Sequence, residues 1–170
     1  QKVIALIGLS VGQSVALTLA MQRGFGELRI ADFDRLDLSN LNRIRAGVHQ
    51  LGLPKVTIVA REISEIDPFL RVRCHWDGVN DENLDDFLLG DGKVDLLIDE
   101  CDSIPIKVKA RIGARANGIP VLMETSDRGM LDVERFDQNS SLDLFHGKLG
   151  TVEDIMGNLS DDPMKVAMGI

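Results

Sequence analysis

Tyrosine is absent from the chain and tryptophan occurs once, so there is little from which to build an aromatic platform for stacked bases. The two cysteines, Cys74 and Cys101, form no C-x-x-C pair, which excludes a zinc site made of four cysteines of this chain. Such sparse cysteine points to a reduced, cytoplasmic setting. No run approaches the ~18 apolar residues that span a bilayer, and no membrane partner is expected. Positive charge is in the minority: 19 Lys and Arg face 27 Asp and Glu, for a formal net charge of -8. With no block of five basic residues, the concentrated basic footprint of a duplex-binding protein is missing, and no nucleic-acid partner is expected. The 170 residues begin Gln1-Lys2-Val3, with neither an initiator Met nor a signal-peptide pattern, and are read as an excerpt of a longer chain.

What is present is the composition of an ordinary globular domain, 44% hydrophobic and 27% charged. Val3–Ile7 is a short apolar run ended by Gly8, the signature of a buried parallel strand. Further strands are expected at Leu28–Ala31, Val72–Trp76, Val94–Ile98, Pro120–Met123 and Asp132–Phe136. Helices are expected from Ser14 to Gln22, from Pro54 to the break at Pro68, over Ile104–Ala116, and as a short piece over Thr151–Leu159 capped by Thr151. Alternating strands and helices predict an α/β fold, a Rossmann-like three-layer α/β/α sandwich with a mainly parallel sheet and antiparallel strands toward the C-terminus. The regular pattern runs over residues 1–137; residues 138–170 read as a poorly patterned extension of the same domain.

Gly8-Leu9-Ser10-Val11-Gly12 spells G-x-S-x-G, the elbow that carries a nucleophilic serine in one class of hydrolases. That reading needs a base late in the chain. Of the three histidines, His75 lies inside a predicted strand and His49 beside a helix start, leaving His146. The same glycines also sit where a phosphate-cradling loop belongs, directly after the first strand. Asp32 ends the second strand 24 residues past Gly8, the place of a ribose-binding acid. The following segment, DFDRLDLSNLNR, gathers Asp32, Asp34, Asn40 and Arg43, and Lys55 stands at the next helix N-terminus. Arg43 and Lys55 are suited to neutralising phosphates. Asp99 and Asp102, in LLIDECDS, offer a carboxylate pair for Mg²⁺.

The succession G-x-x-x-G, D-F-D, S-N-L-x-R, G-x-P-K and L-I-D-x-x-D resembles the ThiF/MoeB/HesA family, the adenylating domain related to ubiquitin-activating enzymes. The resemblance runs from Val3 to about Phe136. It implies that Gly8, Leu9, Ser10 and Gly12 form the nucleotide loop with Asp34, that Asp32 binds ribose, and that Asn40, Arg43 and Lys55 bind phosphates. It also implies that Asp102 binds magnesium, with Arg43, Lys55 and Asp102 as the catalytic set. Such enzymes use ATP and Mg²⁺ to adenylate the C-terminal glycine of a ubiquitin-like or sulfur-carrier protein or a peptide, and they work as homodimers. Where the family reads G-x-G-G-x-G, this chain carries Ser10, Val11 and Gln13; the latter two would crowd the helix start unless turned away from the ligand. Lys107 stands in for a usual Arg. GLSVG together with SDRGMLDVERFD resembles ThiF-like modules fused to nitroreductase-like domains, and a non-catalytic scaffold of that kind is the alternative function. An NAD-binding oxidoreductase is a third reading, disfavoured by the cation cluster.

Structural explanations account for other conspicuous residues. Cys74 and Cys101 read as small buried thiols, and Trp76 as core at a strand end. Lys107, Arg111 and Arg115, at i+4 spacing, read as a solvated helix face.

Overall fold

A computed structural model describes residues 1–125, 129–161 and 166. Six strands form one sheet: β1 (Val3–Ile7), β2 (Glu27–Ala31), β3 (Arg71–His75), β4 (Leu96–Asp99), β5 (Val121–Thr125) and β6 (Met130–Glu134). Their order is β3-β2-β1-β4-β5-β6, parallel through β5, with β6 antiparallel to β5. This is the expected three-layer α/β arrangement. Helices α1 (Gly12–Gln22) and α2 (Lys55–Ile66) cover one face of the sheet, and α3 (Leu84–Leu89), α4 (Ile104–Ala116) and α5 (Val152–Asp161) the other.

The two cores follow from the period of two along each strand. Ile4, Leu6, Leu28 and Ile30 meet Ala16 and Ala20 of α1 and Val56, Val59 and Ile63 of α2. Ala5, Ile7, Leu97 and Val121 meet Phe87 and Leu88 of α3 and Val108, Ala110 and Ala114 of α4. The poorly patterned tail joins the second core through Leu144, Phe145, Ile155 and Val166. Thr151 and Asp154 cap α5 reciprocally, the Asp154 N–H donating to Thr151 Oγ1 and the Thr151 N–H to Asp154 Oδ2.

Several boundaries differ from expectation. α1 begins at Gly12, two residues early, and β6 lies two residues earlier than the alternation suggested. The six-residue α3 was not foreseen: Asp85 and Asp86 in its first turn disguise a segment whose Phe87 and Leu88 are fully buried. Trp76 is a correction. It lies one residue beyond β3, 54% exposed, with its indole N–H donating to Thr57 Oγ1 at 3.1 Å, because the strand ends before it.

The solvated face expected for α4 is also corrected. Lys107 and Arg111 are buried and Arg115 is half-buried. The face is covered by β6 and the 3-10 turn Leu144–Gly147, and Asp99 of β4 and Glu134 of β6 supply the acids that match the cations. Arg111 pairs with Asp99 of β4 and, at 2.6 Å, with Glu134 of β6, and its guanidinium lies 4.4 Å from the centroid of the Phe145 ring. Lys107 Nζ is 3.2 Å from Asp99 Oδ1. Glu134 additionally accepts the Phe145 N–H at 2.6 Å, so one charge network ties β4, α4, β6 and the tail together.

Candidate functional site

The strand order reverses at β1, whose neighbours β2 and β4 lead in opposite directions through the fold; ligands bind at such switch points, beyond the carboxyl ends of the strands. The register aligns Ile7 with Ala31 on one side and with Asp99 on the other. Gly8, Asp32 and Glu100 therefore emerge side by side. Together with the segment 101–103 at the head of α4 and Phe33 and Gly78 from the β2 and β3 ends, they line a small cleft open to solvent.

Gly8 is required twice over. Its φ is +88°, and a Cβ placed there would lie 2.5 Å from the backbone oxygen of Glu100. Gly8→Ala is expected to cost about 1–3 kcal/mol in a urea melt and to part the β1 and β4 loops that meet across the cleft. An unchanged unfolding midpoint would refute that close approach.

Asp32 organises the floor. One carboxylate oxygen accepts the Leu9 N–H at 2.7 Å and the other the Asp34 N–H at 2.7 Å. Burial raises its pKa, against the pull of those two N–H groups and of Lys55. Lys55, at the start of α2, is almost wholly buried; its ammonium donates to Asp34 Oδ2 at 2.7 Å and to Ser10 Oγ at 3.0 Å. Ser10, Asp34 and Lys55, far apart in sequence, thus meet at one point.

Gln13 is turned away from the cleft. Its side-chain amide pairs with both backbone groups of Arg45, donating to the carbonyl and accepting the N–H at 2.8 Å each, and donates to Glu62 at 2.7 Å. Gln13 thereby fastens the β2–α2 connection to the head of α1. Val11 is half-buried.

Of the predicted site residues, Gly8, Leu9, Ser10, Asp32, Asp34 and Asp102 line the cleft, and Lys55 reaches it through Ser10 and Asp34. Gly12 lies outside the lining: it heads α1, where a Cβ would come within 2.9 Å of Leu6 Cδ2. Asn40 and Arg43 are also outside the lining. Asn40 caps the 3-10 turn Leu38–Asn40 by accepting the Asp37 N–H, and exposed Arg43 donates to Ser39 O at 3.4 Å and Asn42 Oδ1 at 3.1 Å.

The carboxylate pair expected at residues 99 and 102 is separated. Asp102 is exposed at the cleft rim, whereas Asp99 is fully buried and committed to Lys107 and Arg111. Burial alone would raise the Asp99 carboxyl, but Arg111, then Lys107, hold it below the ordinary range. Asp99 also accepts hydrogen bonds from the N–H and Sγ of Cys101. Burial and that neighbouring negative charge push the Cys101 thiol upward, consistent with an inert thiol. Among the described residues no three His, Cys, Asp or Glu side chains are grouped to hold a metal. Asp102 nonetheless has the chemistry of a Mg²⁺ ligand, a hard oxygen donor with no hydrogen-bonded side-chain partner among the described residues; Mg²⁺ is commonly held by one or two carboxylates plus substrate phosphates.

Glu100 escaped the sequence reading. It lines the cleft, and its carboxyl is pushed up to about 7 by burial and by the neighbouring Glu124. No motif marks it; its place follows from the β1–β4 register. His146, the remaining candidate base for a Ser10 nucleophile, is held 2.5 Å from Asp132 beside β6, away from the cleft lining.

The ThiF family matches residues 2–140. A Mycobacterium tuberculosis protein, MT1398, is 49% identical over 150 residues, covering 88% of this chain and 21% of that one. Ubiquitin-like modifier-activating enzyme 5 of Drosophila persimilis is 34% identical over 97 residues, 55% of this chain and 25% of the enzyme. Among solved structures, E. coli tRNA N6-threonylcarbamoyladenosine dehydratase, TcdA, in complex with ATP superposes with a TM-score of 0.67 at 28% identity, over 78% of this chain and 54% of that one. The chain spans about a fifth to a quarter of the length of these two sequence relatives. No helix among the described residues is long and apolar enough to cross a membrane. Ser126, Asp127 and Arg128, which open the SDRGMLDVERFD stretch, lie outside the described residues.

Proposed function

The chain belongs to the ThiF family, and on that premise we propose that it binds ATP in the β1–β4 cleft and adenylates a carboxylate. The observation that carries this reading is the convergence at the strand ends of the Gly8–Ser10 loop held by Asp32, the buried Lys55 ammonium, and the exposed Asp102 carboxylate. The ATP complex of TcdA supports the choice of nucleotide. The ubiquitin-activating relative supports an acceptor of the same class, the C-terminal glycine of a ubiquitin-like or sulfur-carrier protein, or of a peptide.

In this reading the acceptor carboxylate attacks the α-phosphorus of ATP. A carboxylate–phosphorus oxygen bond forms, the bond to the bridging oxygen breaks, and pyrophosphate leaves with the electron pair. Two anions must approach, so the protein's task is neutralisation and alignment. Lys55 supplies a fixed positive charge beneath the loop. Arg43, loosely held at the surface, is free to swing onto the phosphates, and Asn40 shapes the turn that carries it. Asp32, already ordering the loop, takes the ribose hydroxyls. Mg²⁺, when bound, offsets phosphate charge, with Asp102 as its protein ligand. A homodimer and a nitroreductase-like neighbouring domain belong to the same proposal for the longer protein.

Calorimetric titration of the full-length protein with ATP plus Mg²⁺, with NAD in parallel, tests the nucleotide assignment. Binding of ATP and not NAD is expected; NAD binding in place of ATP would sink it. ATP binding without pyrophosphate exchange, in the presence of glycine-terminated acceptors, would instead establish the non-catalytic module.

A further inference from the structure

Ser10 occupies a position where the glycine-rich consensus has no side chain, and that side chain is part of the cleft wall. Its hydroxyl has one proton to donate and lone pairs to accept with. An ammonium can only donate, so the 3.0 Å contact with Lys55 Nζ uses the Ser10 oxygen as acceptor. The Ser10 proton then has to point to something else, and none of the described residues accepts it. Within the described protein the hydroxyl serves as an acceptor only.

The other cleft side chains sharpen the point. Asp32, Asp34, Glu100 and Asp102 are acceptors when ionised, and Cys101 spends its proton on Asp99. Ser103 carries a hydroxyl with no hydrogen bond from a cation among the described residues. Ser10 alone among these hydroxyls accepts from an ammonium, and a hydroxyl that accepts a hydrogen bond from a cation becomes a better donor through polarisation. With its proton left to face the cleft, this hydroxyl is a strong donor for an anionic acceptor bound there.

We propose that Ser10 Oγ–H donates to a phosphoryl oxygen of the bound nucleotide, with Lys55 fixing the direction of the hydroxyl. This makes Ser10 a ligand-contacting specificity residue added by side chain where the consensus loop uses backbone alone. It also answers the nucleophile reading of the G-x-S-x-G sequence. Activating Ser10 would need Lys55 as a proton acceptor, and Lys55 is ion-paired with Asp34 at 2.7 Å and donates to Ser10 instead.

The inference rests on the nucleotide reading above, and the test separates the two. Dissociation constants for MgATP, and half-inhibition by adenosine as competitor, are to be measured on the full-length protein and on Ser10→Ala, Ser10→Gly and Ser10→Thr. Loss of a hydrogen bond to a charged group is expected to weaken MgATP about ten- to a hundredfold in the alanine and glycine variants. Adenosine should shift less than about twofold, since it carries no phosphoryl oxygen, and threonine, which keeps the hydroxyl, should restore most of the affinity. Wild-type MgATP affinity in Ser10→Gly, an equal loss of adenosine and MgATP, or a threonine variant as poor as alanine would each overturn the proposal. Failure of the wild-type protein to bind MgATP would overturn the nucleotide reading with it.

Discussion

Replacing Arg111 with leucine is expected to destabilise the protein by about 3–5 kcal/mol, lowering the melting temperature by about 6–20 °C. The guanidinium is completely buried between Asp99 and Glu134, and leucine would leave two carboxylates in the interior with Lys107 as the remaining cation at Asp99. The pH dependence should distinguish lost charge from lost volume. In the wild type Asp99 is held below its ordinary pKa, so its contribution is present above about pH 3.9 and disappears as the pH falls through the folded-state value. Without Arg111, burial dominates and the folded Asp99 titrates above its unfolded value. The variant's deficit should then be smaller at pH 4 than at pH 7. A deficit independent of pH would point to packing alone. Adding Asp99→Leu and Glu134→Leu should recover part of the loss, since it is the unpaired charge that is costly.

Asp102→Asn is expected to reduce pyrophosphate exchange on the order of 100-fold or more, while shifting the melting temperature little. The side chain is exposed at the cleft rim, so amide for carboxylate removes a charge without disturbing a packed interior. Asparagine keeps the size and one oxygen but forfeits the negative charge that a hard cation prefers. Titrating MgATP into the variant adds a second readout: if Asp102 holds the metal, Mg²⁺ should enhance ATP binding less than in the wild type. Exchange at the wild-type rate would remove Asp102 from the metal site and leave Lys55 and Arg43 to neutralise the triphosphate.

The sheet and the glycine loop were legible because they rest on local signals. An apolar run ended by glycine places β1, and the spacing of Asp32 from Gly8 places that acid at the same edge. What failed were inferences that depend on what covers a residue. The i+4 row Lys107-Arg111-Arg115 fixes a helix face without revealing that Asp99 and Glu134 await it. Asp99 and Asp102 sit three residues apart, yet Asp99, the last residue of β4, points into the core to pair with Arg111, and Asp102, beyond the strand, lies at the rim. Gln13 looked like an obstruction since sequence does not display the Arg45 backbone with which it pairs. Trp76 misled by size: large apolar side chains are usually inside, but this one follows the last paired residue of its strand.

The pairing of β1 with β4 joins Ile7 to Asp99 across most of the described chain. Bringing such distant segments together is slow relative to local helix formation, because the chain entropy of the intervening loop is lost before contacts compensate it. The half of the cleft made by Gly8, Ser10 and Asp32 can form from the first three strands, whereas Glu100 and Asp102 arrive with the fourth. Competence to hold a ligand is therefore expected to come late in folding. A nascent chain emerging from the ribosome carries the glycine loop for some ninety residues of synthesis before the opposite wall exists.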